Sequence, residues 1–262
     1  MLLQTIIFAT MFLIAPRAGA SCDGTSSPSQ SKPEQISMTV WNTKQSSGLL
    51  TDAFYNLNIF DDLYLFQEVD KTGLDKFSHE YESSQLRNSI LHNKLKFGVA
   101  SYSRFETCEA YSIDIADEPI MPSVDKGLVV QKFKFIDSNG HQHILKVINA
   151  HLPLFLRTMN YGQGAYKNGL LKISKEIENH SGPIIITGDF NGWTPNRTRY
   201  LLPDFVKKNN LQELSFRTNF GNRAAYLQLD RFYFKGLKIE KEETIASIEE
   251  SDHFIRRIII KF

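Results

Sequence analysis

Short runs of apolar residues recur along the chain and are separated by polar segments. The runs are rich in Val, Ile, Phe and Tyr, whose branched and ring side chains suit the pleated, half-buried surface of a β-sheet. We predict strands at residues 36–41, 63–66, 97–102, 128–135, 144–148, 184–186, 229–234 and 254–260. Apolar residues at helical spacing predict helices at residues 49–59 and 169–177.

The order of these elements indicates the architecture. Strands follow one another from residue 97 to residue 148 with no helical pattern between them. This favours two sheets packed face to face, with helices on the outside, over a doubly wound sheet in which strands and helices alternate.

The N-terminus has the pattern of an export signal. Residues 2–14 are mostly apolar, and the small residues 18–20 follow Pro16 and Arg17, which predicts a signal peptide at residues 1–20. A membrane span would need about 20 apolar residues. The first residues lack the usual basic side chain, and a buried N-terminal strand is the alternative. We interpret the Ser/Pro-rich residues 21–35 as a linker and residues 36–262 as one domain.

Composition and charge narrow the function little. Hydrophobic residues make up 42% of the chain and charged residues 23%, as in ordinary globular proteins. Removing residues 1–20 removes one basic residue, Arg17, so 29 Lys and Arg then balance the 29 Asp and Glu. Bulk charge therefore identifies no partner, although a local basic patch or a bound metal could still bind a polyanion.

The two cysteines, Cys22 and Cys108, exclude a disulfide framework and a cysteine-built metal site. Three alternatives remain for them. They could pair in an oxidising compartment, they could stay as thiols, or Cys22 could carry a lipid, since residues 19–22 resemble a bacterial lipoprotein processing site. We expect a secreted or periplasmic protein, with a lipid anchor at Cys22 as a variant of that prediction.

Acids, amides and histidines stand where predicted strands meet loops. They are Asn42, Glu68, His151, Asp189, Asn191, Asp230, Asp252 and His253. Strand ends are rigid places to present a site, and carboxylate, imidazole and carboxamide together suit metal-assisted phosphoryl transfer. Gly188-Asp189-Phe190-Asn191 after a buried strand is the sharpest of these motifs, because a structural purpose for it is hard to find.

Taken in order, the segments Trp41-Asn42, Gln67-Glu68, Asn149-Ala150-His151, Gly188 to Asn191, Leu229-Asp230 and Ser251-Asp252-His253 resemble motifs of the endonuclease/exonuclease/phosphatase superfamily. Residues 97–104 are similar to the strand that precedes the central hairpin of that family. The resemblance is nearest to bacterial secreted members of deoxyribonuclease I-like type. It implies an α+β fold, a four-layered α/β-sandwich of two mostly antiparallel sheets flanked by helices.

The resemblance also implies roles for the motif residues. Asn42, Glu68 and Asp252 would bind Mg²⁺ or Mn²⁺. Asp189 would orient or deprotonate the attacking water, Asn191 would donate to a phosphate oxygen, and His151 would protonate the leaving group. Asp230 would hold His253 against the phosphate. A role of Lys126 as a further cation is weighed against a solvated surface lysine, which we favour. Arg157, Arg197 and Arg199 could contact a polyanion or form an ordinary charged rim.

The predicted function is a secreted metal-dependent phosphodiesterase, foremost a nuclease that hydrolyses DNA, with a nucleic acid as its partner. Two alternatives remain open. The same fold could hydrolyse a phospholipid or inositol phosphate in the manner of a sphingomyelinase. The apolar residues 152–156 support this alternative. It could also be a binding module without turnover. We expect a monomer with no obligate protein partner.

Overall fold

The computed structural model describes residues 22, 35–45, 54, 56–81, 88–94, 96–105, 107–117, 124–136, 140–154, 159–216, 229–245 and 251–262. Its strands are β1 Gln35–Asn42, β2 Leu63–Asp70, β3 Asn88–His92, β4 Phe97–Ser103, β5 Thr107–Asp117, β6 Asp125–Ile136, β7 Gln142–His151, β8 Ile184–Asp189, β9 Gln212–Glu213, β10 Asp230–Lys235, β11 Lys238–Ile245 and β12 Ile255–Lys261. The helices are α1 Lys71–Tyr81, α2 Met159–Glu178 and α3 Leu202–Lys208, and a π-helical turn, Arg197–Leu201, leads into α3.

The described strands form two six-stranded sheets. The first has the order β11-β12-β1-β2-β4-β3 and the second the order β5-β6-β7-β8-β10-β9. Each sheet is antiparallel except for one pair near its middle, β1 with β2 in the first sheet and β7 with β8 in the second. The prediction of two mostly antiparallel sheets is confirmed.

Three apolar clusters hold four layers together. Between the sheets, Met38 and Val40 of β1 pack with Val147 of β7 and Phe232 of β10. The outer face of the first sheet is covered by residues that include Phe77 of α1. The outer face of the second sheet is covered by α2 and α3. Burial on both faces explains why the central strands carry nearly continuous apolar runs.

The predicted strands are confirmed at all eight positions, and the helical pattern at residues 169–177 lies inside α2. The predicted helix at residues 49–59 lies partly outside the described residues, and residues 54, 56 and 57 of it are helical. The predicted signal peptide, residues 1–20, lies outside the described residues, as does nearly all of the linker. Those two assignments remain predictions.

Cys22 and Cys108 form a disulfide with a Cα–Cα distance of 5.1 Å, which ties the start of the chain to β5. Of the three alternatives left by the sequence, the structure has the pairing. A sulfur engaged in this bond cannot also carry a lipid, so anchoring at Cys22 and the disulfide exclude each other. None of the helices described here is long and apolar enough to cross a membrane.

Candidate active site at one edge of both sheets

The topology brings the predicted site residues to one edge of both sheets, by which we mean the side where the central parallel strands end and not an outermost strand. The parallel strands of each pair run in the same direction, so the ends of β1 and β2 lie together, as do the ends of β7 and β8. Antiparallel neighbours begin where these strands end, which adds Asp230 at the start of β10, directly opposite Asp189. Asn42, Glu68, His151 and Asp189 come from the parallel strands, and His253 precedes β12.

Polar side chains join the two sheets beneath this edge. Gln67 of β2 donates its side-chain amide to Asn149 Oδ1 of β7 at 2.6 Å. Asn149 Nδ2 donates in turn to the backbone oxygens of Phe66 and Ala100 in the first sheet, at 3.1 and 2.9 Å. Buried amides that hydrogen-bond across an interface favour one packing arrangement. The residues that follow them, Glu68 and His151, are therefore held in register across the interface.

Glu68 owes its position to an irregularity in β2. The pairing of β2 with β4 shifts between Phe66 and Val69, and Glu68 has a backbone φ of 54°. This left-handed conformation is uncommon for a residue with a Cβ and persists where the surroundings enforce it. The backbone oxygen of Glu68 accepts from Thr43 Oγ1 at 2.9 Å and from the Gln45 N–H at 3.1 Å. The bulge turns the carboxylate toward Asn42, whose Nδ2 lies 3.4 Å from Glu68 Oε1.

The Gly188-Asp189-Phe190-Asn191 motif has a backbone reason for its glycine. Gly188 has a φ of 128°, and an added Cβ would lie 2.1 Å from the backbone oxygen of Ala150. Only glycine allows β8 to approach β7 this closely. Beyond it, Asp189 accepts from Asn42 Nδ2 at 3.0 Å and from the Asn191 N–H at 2.8 Å. Both carboxylate oxygens of Asp189 are thus held in place.

His253 and Asp230 form the pair that the resemblance implies. His253 Nδ1 lies 2.9 Å and 3.1 Å from the two carboxylate oxygens of Asp230. Ser251 fixes the approach of this segment, because its hydroxyl donates to the Asn42 backbone oxygen and accepts from the His253 N–H. A carboxylate at Nδ1 sets the imidazole tautomer, which leaves Nε2 directed at the site, 4.0 Å from Asp189 Oδ2.

Lys126 corrects an interpretation made from the sequence. We favoured a solvated surface lysine, but Lys126 is only 1% exposed, and its ammonium nitrogen lies 2.6 Å from His151 Nε2. The ammonium can only donate, so His151 Nε2 is the acceptor and the imidazole is neutral. Protonation of a leaving group by His151 would first require Lys126 to turn away from Nε2. That role stays a prediction.

The buried charges of the site shift one another's pKa values. Burial, together with the nearby Asp230 charge, raises the pKa of Asp189 to about 6, against the opposing effect of His253 and Lys126. Burial alone would lower the pKa of His253, but the Asp230 carboxylate outweighs it and raises that pKa to about 10. Burial, Lys126 and His253 hold the pKa of His151 well below its ordinary value. His253 is therefore the imidazolium and His151 the neutral imidazole.

Glu68, His151 and Asp189 form a group with ligand atoms within 4.8 Å of one another. His151 Nε2 lies 3.6 Å from Glu68 Oε1 and 3.6 Å from Asp189 Oδ2. An octahedral Mg²⁺ with ligands at about 2.1 Å spaces its ligand atoms about 3.0 to 4.2 Å apart. The two separations from His151 fall in this range, and the carboxylates are the hard oxygen donors that such an ion prefers.

The predicted metal ligands were Asn42, Glu68 and Asp252, and the structure places only the first two of them close together. Asn42 contacts Glu68 directly. Asp252 is partly exposed, 3.9 Å from His253 Nε2 and 3.9 Å from Lys44 Nζ. Among the described residues it is not a member of the group of close ligand atoms. Its assignment as a metal ligand stays a prediction.

Arg197 does not face a substrate. It is 1% exposed, its guanidinium donates to the backbone oxygens of Pro153 and Asn191 at 2.9 and 2.7 Å, and it stacks on the Tyr166 ring at 4.1 Å. The suggestion that Arg197 contacts a polyanion is wrong, because this side chain fastens the two loops that carry the site. Arg199 is exposed on the π-helical turn. Arg157 lies outside the described residues.

The comparisons with known proteins agree with this architecture. No family model matches the chain. It is similar to a UPF0294 protein of Klebsiella pneumoniae (strain 342), at 28% identity over 229 residues that cover 85% of this chain and 81% of that protein. It is also similar to an endonuclease/exonuclease/phosphatase structure from Beutenbergia cavernae DSM 12333, with a TM-score of 0.69 and 10% identity over 88% of this chain and 72% of that one.

A second similar structure is D. rerio TDP2 complexed with single strand DNA product. The TM-score is 0.62 and the identity 12%, over 88% of this chain and all of that one, 100%. Two packed six-stranded sheets between helical layers, together with these superpositions, define the class. The chain has the four-layered fold of the endonuclease/exonuclease/phosphatase superfamily. The fold implied by the sequence motifs is confirmed.

Proposed function

We propose that the chain is a divalent-metal-dependent phosphodiesterase that cleaves nucleic acid. The observation that carries the proposal is the convergence of two carboxylates, a carboxamide and two histidines in opposite charge states at one edge of both sheets. A purely structural cluster would not need a buried ammonium beside a neutral imidazole, since desolvating such groups costs several kcal/mol. The superfamily fold supports the same conclusion.

The protein groups divide the work as follows. Glu68 and Asp189 would hold Mg²⁺ or Mn²⁺, and His151 Nε2 would join them once its hydrogen bond with Lys126 is broken. The ion when bound supplies Lewis-acid neutralisation of a phosphate oxygen. Asp189, whose carboxylate is fixed by Asn42 and Asn191, orients the attacking water. His253 stays protonated at neutral pH because of Asp230, and it binds a phosphate oxygen as a charged donor.

Lys126 adds a second buried cation to this edge. Its ammonium and the His253 imidazolium both raise the affinity of the site for a group that carries negative charge, and both lower the energy of carboxylates that would otherwise repel it. A donor held in a water-poor site contributes about 3 to 4 kcal/mol when charge develops on the oxygen it faces. We therefore assign Lys126 to the phosphate.

Nucleic acid is the substrate class that the surroundings favour. Trp193 is partly exposed and Arg199 exposed, both within ten residues of Asp189, and a ring with a guanidinium suits a strand of bases and phosphates. The TDP2 complex with a DNA product provides a precedent on the same fold. The apolar segment that favoured a lipid begins with the buried residues Leu152 and Pro153, whose place is in the loop packing. Residues 155–156 lie outside the described residues.

We also propose that the protein works outside the cytoplasm. The Cys22–Cys108 disulfide supports export, because such bonds persist mainly in oxidising compartments. The apolar N-terminal residues support it independently.

The test is a hydrolysis panel with single- and double-stranded DNA, RNA, sphingomyelin vesicles and phosphoinositides, each with Mg²⁺, Mn²⁺ or excess EDTA. We expect DNA to be cleaved fastest, activity to vanish with EDTA, and Glu68→Gln to be inactive. Glu109→Gln, which removes a carboxylate paired with Lys132 away from the site, serves as the matched control and should retain activity. Hydrolysis that persists in EDTA would refute the metal dependence. Cleavage of vesicles with intact DNA would replace the substrate by a lipid.

A further inference from the structure

The carboxamide of Asn191 is held at both ends. Its Nδ2 donates to the Leu152 backbone oxygen at 2.8 Å, and its Oδ1 accepts from the Trp193 indole N–H at 2.8 Å. Asn191 is 3% exposed and has a φ of 46°, so its backbone is in the left-handed region. Three further hydrogen bonds hold the Asn191 backbone. Its N–H donates to Asp189 Oδ1, and its carbonyl oxygen accepts from the Arg197 guanidinium and from the Trp193 backbone N–H.

These two side-chain contacts select one of the two orientations of the amide. A backbone oxygen can only accept and an indole N–H can only donate. Turning the carboxamide by half a rotation would set Oδ1 against the Leu152 oxygen and the NH₂ group against the indole N–H. Both hydrogen bonds would be lost together, and buried polar groups left without partners cost about 1 to 3 kcal/mol each.

Fixing the amide in this way leaves one defined donor. The NH₂ group of Asn191 has two hydrogens, and the Leu152 oxygen takes one of them. The residue itself adjoins the proposed reaction centre, because its backbone N–H is bound to the Asp189 carboxylate. If the amide turned over, the site would present an oxygen there, which would repel a phosphate.

We infer that Trp193 is a positioning residue whose indole N–H locks the Asn191 carboxamide so that its second amide hydrogen faces the substrate phosphate. The inference rests on the proposed phosphodiesterase function. It extends that function to a tryptophan whose ring, by its partial exposure, also belongs to the rim of the site. Preorganised donors of this kind are effective because they need no reorientation as charge develops.

The test uses Trp193→Phe, which keeps an aromatic ring and removes the N–H. With single-stranded DNA and Mg²⁺, we expect kcat of the variant to be about tenfold lower than that of the wild type, which corresponds to about 1.4 kcal/mol. KM and the thermal unfolding midpoint should be little changed. Asn191→Ala should lose about 10² to 10³-fold, as for other single donors to a developing oxyanion. The double variant should equal Asn191→Ala, because Trp193 acts only through Asn191.

The indole signals provide a readout that is independent of activity. The protein has two tryptophans, and the signal lost in Trp193→Phe identifies Trp193 in a proton–nitrogen spectrum. The Trp41 indole N–H is buried and has no hydrogen-bond partner among the described residues, so it serves as the internal control. In Asn191→Ala the Trp193 indole proton should move upfield and exchange faster with solvent, while the Trp41 signal stays.

The outcomes separate the two levels of the argument. A wild type inactive on every phosphodiester would overturn the proposed function, and with it the role of Trp193 in positioning Asn191 for a phosphate. An active wild type with an unchanged kcat in Trp193→Phe would overturn the inference alone. An indole signal of Trp193 that ignores Asn191→Ala would also overturn it, because the hydrogen bond on which it rests would be absent in solution.

Discussion

Replacing Lys126 by Met should move two properties of the protein in opposite directions. Met has nearly the length of Lys, fills irregular apolar space and carries no charge. Lys126 is almost fully buried, and its ammonium nitrogen lies 2.6 Å from His151 Nε2, one of the three close ligand atoms. The substitution therefore removes a charge and a hydrogen bond while leaving the packing nearly intact.

The first expected effect is tighter metal binding. For His151 Nε2 to bind an ion, its hydrogen bond with Lys126 must break, and a hydrogen bond to a charged group contributes about 1.5 to 3 kcal/mol. Removing that competitor should strengthen the binding of Mn²⁺ in the absence of substrate by about ten- to a hundredfold. The lost repulsion between the ammonium and the ion acts in the same direction.

The second expected effect is slower catalysis. If Lys126 faces the phosphate, its removal should cost about 3 to 4 kcal/mol of transition-state stabilisation, or about 10² to 10³-fold in kcat. Titration calorimetry with Mn²⁺ measures the first effect, and steady-state DNA hydrolysis at saturating metal measures the second. Lys132→Met on the same strand, which breaks the ion pair with Glu109 away from the site, is the control and should change neither.

The pattern of results decides between readings of Lys126. A damaged fold would weaken metal binding and catalysis together. If both stay at the wild-type level, Lys126 acts neither on the metal site nor on the phosphate, and its assignment fails. Tighter metal binding with unchanged kcat would leave Lys126 as a competitor of the metal and remove it from the phosphate.

Three further substitutions test other parts of the structure. Asp230→Asn removes the charge that raises the pKa of His253. The alkaline fall of kcat/KM, expected near pH 10 in the wild type, should therefore move to lower pH in the variant. An unmoved profile would show that His253 does not control this fall. Cys108→Ser removes a disulfide between residues 86 positions apart, and loop entropy predicts a loss of about 4 to 5 kcal/mol in the free energy of unfolding. Urea denaturation under oxidising conditions measures this loss, and a value below about 1 kcal/mol would contradict the prediction. Arg197→Met should lower the thermal unfolding midpoint and kcat together, whereas the exposed Arg199→Met should leave the midpoint unchanged.

The sequence predicted the central strands and missed the edge strands. The four strands not predicted, β3, β5, β9 and β11, stand at the four outer edges of the two sheets. Central strands are covered on both faces, and their apolar runs are nearly continuous. An edge strand such as β11, KIEKEETI, is half solvated and polar, and charged edges also discourage pairing with other chains. An apolar run therefore indicates a buried segment, and it predicts a strand only where that strand is buried.

The motif residues were found because they stand next to such apolar runs, but their geometry was not predicted. No pattern in the sequence signals the bulge at Glu68, since it depends on how β2 pairs with β4, which is distant along the chain. The burial of Arg197 was equally hidden, because an Arg after a Gly/Asp motif has the same sequence appearance whether it faces solvent or closes a loop. Both features arise from tertiary contacts that override local preference.

Lys126 differs from these, because topology alone would have located it. Strands β6 and β7 form an antiparallel pair in which Leu128 stands opposite Ala150, so the start of β6 lies beside the end of β7. The side chain of Lys126, near that start, reaches His151 Nε2. The same reasoning places Asp230 opposite Asp189. A site at the ends of parallel strands thus also includes residues from the beginnings of their antiparallel neighbours, as Lys126 and Asp230 show.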